Sequence, residues 1–158
     1  MSARARSVAE QATPKCPREV EYRLAPDRRS AGLARAALRG QLAEWSIHGE
    51  VAAVAELSLS ELVANAVEAE AEAEAAAAAG AAEEEPGAGQ DVGVRFALGP
   101  GRLLVAAVDG GGGWPVPNRA REDDECGRGL AVVGALADAW GVTVDAAGKT
   151  VWAELAVL

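Results

Sequence analysis

The chain is short of the side chains that usually advertise chemistry. It has one histidine, His48, two cysteines, and aromatic residues at only 4% of its 158 positions. A single histidine leaves Ser-His-Asp catalysis and His-rich metal sites with little support, and His48 reads as a surface residue at a helix end. Cys16 and Cys126 lie far apart, without metal-ligand spacing and without the numbers for a disulfide framework, so reduced thiols in a cytosol are the simplest reading. No stretch of 18 or more apolar residues is present to span a membrane. The first residues, MSARARSVAEQ, carry arginines with no apolar segment behind them, unlike a secretory signal.

Apolar residues make up 50% of the chain, enough for one compact core. The net charge is −9, but it is concentrated. Residues 68–85 hold seven glutamates and no basic residue; without them 17 acids face 15 bases, a net of −2. The acidity is therefore a local feature and says little about partners. Its simplest reading is a solvated helical extension or linker.

The organisation expected is a flexible basic arm over 1–18, then one domain over 19–158 interrupted by a low-complexity acidic insert at 68–90. Glu19–Leu24 alternates like a strand. Residues 31–46 read as a helix, capped by Asp27 or Ser30 and ended by Gly49. A second helix starts near Glu50 and extends to about Ala79. Its stripe of Ala55, Leu59, Leu62 and Ala66 faces a core, and Ser58, Glu61, Asn65 and Glu68 share another face. Asp91–Leu98 and Arg102–Asp109 read as strands joined by the turn Gly99-Pro100-Gly101. Residues 110–126 form a Gly/Pro-rich loop and Gly127–Trp140 a helix. Gly141–Ala146 and Thr150–Leu158 read as a closing hairpin. This order predicts an α/β two-layer sandwich, a mixed, mainly antiparallel sheet covered by helices.

Two common phosphate-binding patterns fail. Gly148-Lys149-Thr150 ends like a Walker A loop, but the upstream glycine position holds Thr143 and the segment leads into a strand. Neither Gly111 nor Gly127 begins a G-x-G-x-x-G run, since Val116 and Val132 stand at the last position. A third set of motifs is better matched. Glu61-Leu62-Val63-Ala64-Asn65-Ala66 sits on a helix, Asp109-Gly110-Gly111-Gly112-Gly113 follows a strand, and Gly127-Arg128-Gly129-Leu130 opens a helix. The segment Gly148–Leu155 forms the last strand. In this order and on these elements, the boxes resemble those of the GHKL superfamily of gyrase, heat-shock chaperone, histidine kinase and MutL ATPases. The last strand resembles that of the small anti-sigma factor serine kinases and related single-domain ATP-binding proteins.

The resemblance implies the histidine-kinase-type ATPase fold and a site for ATP and Mg²⁺. Asn65, one turn beyond Glu61, would ligate Mg²⁺ through its amide oxygen, which suits a hard cation. Glu61 would act as general base at the phosphoryl group. Asp109 would read the adenine amino group, with Gly111 and Gly113 bending the backbone beside the base. Gly127 and Gly129 would admit phosphates to a helix N-terminus, joined by Arg128 and Leu130, with Thr150 on the last strand. The loop 110–126 would be a lid. The protein partners implied are a sigma factor and an anti-sigma antagonist whose serine is phosphorylated, in the cytoplasm, with no direct contact to nucleic acid or membrane and with a homodimer left open. The family often places a basic residue or histidine and a glycine after the first box. Val67-Glu68-Ala69-Glu70 stands here instead and brings negative charge toward the phosphates. This keeps an alternative open: a non-catalytic partner-binding module that retains the fold without kinase activity.

Overall fold

The computed structural model describes residues 18–78, 91–109, 125–145 and 148–157. Most of the expected N-terminal arm, the end of the acidic insert and the 110–124 loop lie outside the described residues. Among the described residues five strands run β1 (Glu19–Leu24), β2 (Val92–Gly99), β3 (Arg102–Asp109), β4 (Ala139–Asp145) and β5 (Gly148–Ala156). Three helices accompany them: α1 (Ser30–Glu44), α2 (Gly49–Ala78) and α3 (Glu125–Leu136). The sheet order is β1-β2-β3-β5-β4, and every pairing is antiparallel. The sheet is thus antiparallel throughout and not mixed. The reason is β5, which folds back from β4 and occupies the place beside β3 that a parallel crossover strand would take.

Alternation divides the sheet into two faces. Val92, Val94 and Phe96 of β2, Leu103, Val105 and Ala107 of β3, and Val151, Ala153 and Leu155 of β5 are buried, and the registers align them in rows. They join Ala34, Leu38 and Leu42 of α1, Ala55, Leu59, Leu62, Val63 and Ala66 of α2, and Leu130 and Val133 of α3 in one core. α2 packs against β3 and β5 of the sheet and against both α1 and α3. The helix stripe expected from the sequence is therefore the core stripe, and α2 extends to Ala78 as its Ala/Glu composition favours.

The boundaries that moved have local causes. Arg29, at the N-cap of α1, makes no side-chain cap. Instead Asp27 Oδ1 accepts the Arg29 N–H at 2.8 Å, and the Ser30 hydroxyl donates to the Ala25 carbonyl, so both candidates stabilise the preceding turn. α1 ends at Glu44, not at Gly49, and Ser46 takes φ 60° while Ile47 N–H returns to the Leu42 carbonyl at 2.9 Å. Trp140, expected at the end of α3, belongs to β4. Asp138 anchors that earlier start, donating its N–H to Glu154 O at 2.9 Å and accepting the Ala156 N–H on Oδ2 at 2.7 Å. The Trp140 ring then fits against Gly134 of α3, where an added Cβ would meet Nε1 at 3.0 Å. Across the other sheet face Trp152 lies over Gly141 so closely that a Cβ there would stand 2.6 Å from the ring. Among the described residues no helix is long and apolar enough to cross a membrane.

Candidate functional site

Three elements position the candidate side chains: the middle of α2, the C-terminal end of β3 and the start of α3. Glu61 and Asn65 stand one turn apart on α2, between the buried positions Leu62, Val63 and Ala66. Glu61 is half-buried and Asn65 is only 9% exposed. A buried primary amide offers a carbonyl oxygen with two lone pairs and an NH₂ group in a place where water does not compete. Glu68, counted on the same helical face, is exposed, whereas Glu70 is buried. Of the two glutamates that follow Asn65, it is therefore Glu70 and not Glu68 that the fold buries.

Asp109 closes β3 on the core-facing row, 2% exposed. Aspartate is seldom buried to this degree without partners, and one of them is Lys149, directly opposite in the β3–β5 register. Lys149 Nζ stands 3.8 Å from Asp109 Oδ2, and Lys149 is itself 4% exposed. By sequence order Lys149 falls at the turn of the closing hairpin. The signal was present in the alternation: Leu155, Ala153 and Val151 face the core, so counting back by twos turns Lys149 inward as well. The same count turns Thr150 outward. Thr150 pairs with Val108 and Thr143 and lines a shallow depression of about 310 Å³ on the far sheet face with Arg95, Leu104 and Trp152. The structure thus places Lys149, and not Thr150, beside Asp109.

Gly127, Arg128 and Gly129 fall in the first turns of α3, of which the backbone path is described. Leu130 is buried in the core and seats this helix against α2. Gly111 and Gly113 lie outside the described residues, as does nearly all of the expected lid. A cleft of about 750 Å³ opens at the β1–α1 connection, lined by Asp27, Arg28, Arg29, Ser30 and Arg35, and none of the candidate residues contributes to it. Among the described residues no three His, Cys, Asp or Glu side chains gather into a metal cluster.

What these residues offer is a buried carboxylate at a strand end, an amide and a carboxylate one turn apart on the helix packed over that strand, and a glycine-containing first turn of a helix that packs against the same helix. Those are groups suited to a base, a hard cation and phosphates respectively. Comparison with known proteins points the same way. The family model described as "Histidine kinase-like ATPase domain" matches residues 24–155. Among solved structures, the chain is similar to that of the RsbU and RsbW domains of Rv1364c from Mycobacterium tuberculosis, with a TM-score of 0.60 and 22% identity. That match covers 89% of this chain and 32% of the other, so the chain spans about a third of that neighbour's length. At this identity the likeness is one of fold. No curated protein matches the chain.

Proposed function

The chain belongs to the histidine kinase-like ATPase family, and from that premise we propose that it is an ATP-binding regulator similar to the anti-sigma factor serine kinases. The observation that carries the reading is Asp109, a carboxylate held 2% exposed at the end of β3. In this position it accepts a hydrogen bond from the exocyclic amine of adenine. Asn65 contributes its amide oxygen to Mg²⁺, and the phosphates lie toward the N-terminus of α3 at Gly127, Arg128 and Gly129, where free N–H groups favour anions. Mg²⁺, when bound, offsets the charge of the phosphates. Glu61, half-buried and one turn before Asn65, takes the proton from a serine hydroxyl of an anti-sigma antagonist as that oxygen attacks the γ-phosphorus, and the bond from phosphorus to the bridging oxygen breaks to release ADP. Binding of a sigma factor would be the regulatory output.

A second reading has its own observation. Val67-Glu68-Ala69-Glu70 follows Asn65 in place of the basic residue or histidine that related proteins often carry there, so the chain after Asn65 brings no positive charge toward a phosphoryl group. It favours a module that binds nucleotide and a protein partner without transferring phosphate. Calorimetric titration of the chain with ATP and Mg²⁺, repeated on Asn65→Ala and Asp109→Ala, tests the shared part. The native chain binds, and both variants lose most of the affinity; no binding by the native chain removes the nucleotide reading. Transfer of labelled γ-phosphate to a candidate antagonist then separates the two. Glu61→Ala abolishes transfer while retaining ATP if Glu61 is the base, and unchanged transfer by that variant removes it from the role.

A further inference from the structure

The buried end of the β3–β5 ladder holds more than an acceptor. Lys149 faces Asp109 across the register, with the two side chains 5% and 1% exposed. Gly148 begins β5 at φ 139°, a conformation that L side chains rarely adopt, immediately before Lys149 in the inward row. Taking both charges out of water is costly, and a pair of apolar residues would cost less. At 3.8 Å the contact is longer than a hydrogen bond, so the attraction between them is one of charge, which favours the ionised carboxylate. An ionised carboxylate only accepts hydrogen bonds, whereas a neutral carboxyl also donates. Purine bases differ at this point: a 6-amino group presents a donor and a 6-oxo group an acceptor.

We infer that Lys149 is a specificity-determining positioning residue, which holds Asp109 as an accept-only group so that the site takes a base with an exocyclic amine and refuses one with a carbonyl in that place. The inference rests on the proposed reading of Asp109 as the base contact, and Lys149 acts through Asp109. A site built around a buried group loses much of its affinity for a ligand that leaves the group unmatched.

The test is calorimetric titration of the full chain with ATP and with inosine triphosphate, which carries oxygen in place of the amine, each with Mg²⁺. The native chain prefers ATP on the order of 100-fold, the value of one charge-assisted hydrogen bond between buried groups. Lys149→Met reduces the preference to less than about 10-fold by the same reasoning. The ratio is the informative quantity, because a lysine that merely supports the fold weakens both nucleotides together. The double variant Asp109→Asn/Lys149→Met replaces the pair by neutral groups, and its melting by circular dichroism shows whether it folds. An asparagine side chain both donates and accepts, so this variant binds the two nucleotides within about 3-fold of one another. A native preference that persists in Lys149→Met, or in the double variant where the single one does not fold, overturns the inference and leaves the ATP reading standing. A native chain that binds neither nucleotide overturns both.

Discussion

Two ion pairs join β3 to β5, and they occupy opposite ends and opposite faces of one ladder. Arg102 Nη1 meets Glu154 Oε1 at 2.6 Å on the outer face, where the side chains are 64% and 27% exposed. Lys149 meets Asp109 at 3.8 Å on the inner face, where almost nothing is exposed. Ranked by distance, the first is the stronger contact. Ranked by surroundings the order reverses: water screens the outer pair, while protein groups and not solvent surround the inner one. The shorter contact is a surface detail of the sheet, and the longer one decides whether a charged group can be kept at the end of β3.

The largest effect expected is therefore on the inner pair. Lys149→Met takes the cation opposite Asp109 in the register away from a buried carboxylate and lowers unfolding free energy by up to about 3–5 kcal/mol, the range for breaking a buried pair. Urea unfolding followed by tryptophan fluorescence measures it. Asp109→Asn/Lys149→Met regains most of that loss, since neither position then carries charge. If Lys149→Met costs less than about 1 kcal/mol, it falls in the range of exposed pairs and the contrast between the two ends disappears.

Much of what leads to this contrast is legible along the chain. β1 and β3 fall on the residues that alternation assigns to them, Leu59, Leu62 and Ala66 form the buried stripe of α2, and Asp109 closes its strand before a run of glycines. These are properties of a few neighbouring residues, and periodicity expresses them directly. Lys149 was harder to see because its meaning depends on which strand lies beside β5. The insertion of β5 between β3 and β4 joins residues 40 positions apart in sequence, Asp109 and Lys149, and no local pattern encodes that. The start of β4 depended likewise on Asp138 reaching Glu154 and Ala156. Helical counting grouped Glu68 with Glu61 and Asn65, yet Glu68 is exposed and Glu70 buried. Near the end of a long helix the tertiary neighbours set exposure, and the sequence of α2 alone does not contain them.

A smaller effect probes how the inner pair is aimed. Gly148→Ala puts a Cβ on a backbone at φ 139° and costs about 1–3 kcal/mol in strain. The chain relieves that strain by turning the start of β5, which displaces Lys149 first. ATP affinity therefore falls along with stability in Gly148→Ala. Retention of full affinity in a destabilised variant would mean that the aim of Lys149 does not depend on this glycine.

The smallest effect is reserved for the contact with the shortest distance. Arg102 is mostly in water, so Arg102→Ala gives up Coulomb attraction that solvent already weakens and releases two long side chains from a fixed geometry. The net cost is below about 1 kcal/mol. Salt makes the assignment sharper, because the screening length falls from about 10 Å at 0.1 M to about 3 Å at 1 M. The difference between native and Arg102→Ala unfolding energies shrinks over that range, while the loss in Lys149→Met persists, its groups being out of reach of the ions. ATP affinity is unchanged in Arg102→Ala, since Arg102 and Asp109 are the opposite ends of β3. A loss above about 2 kcal/mol that survives 1 M salt would place the outer pair among buried ones. Distance, and not solvent, would then be the better guide to what holds these two strands together.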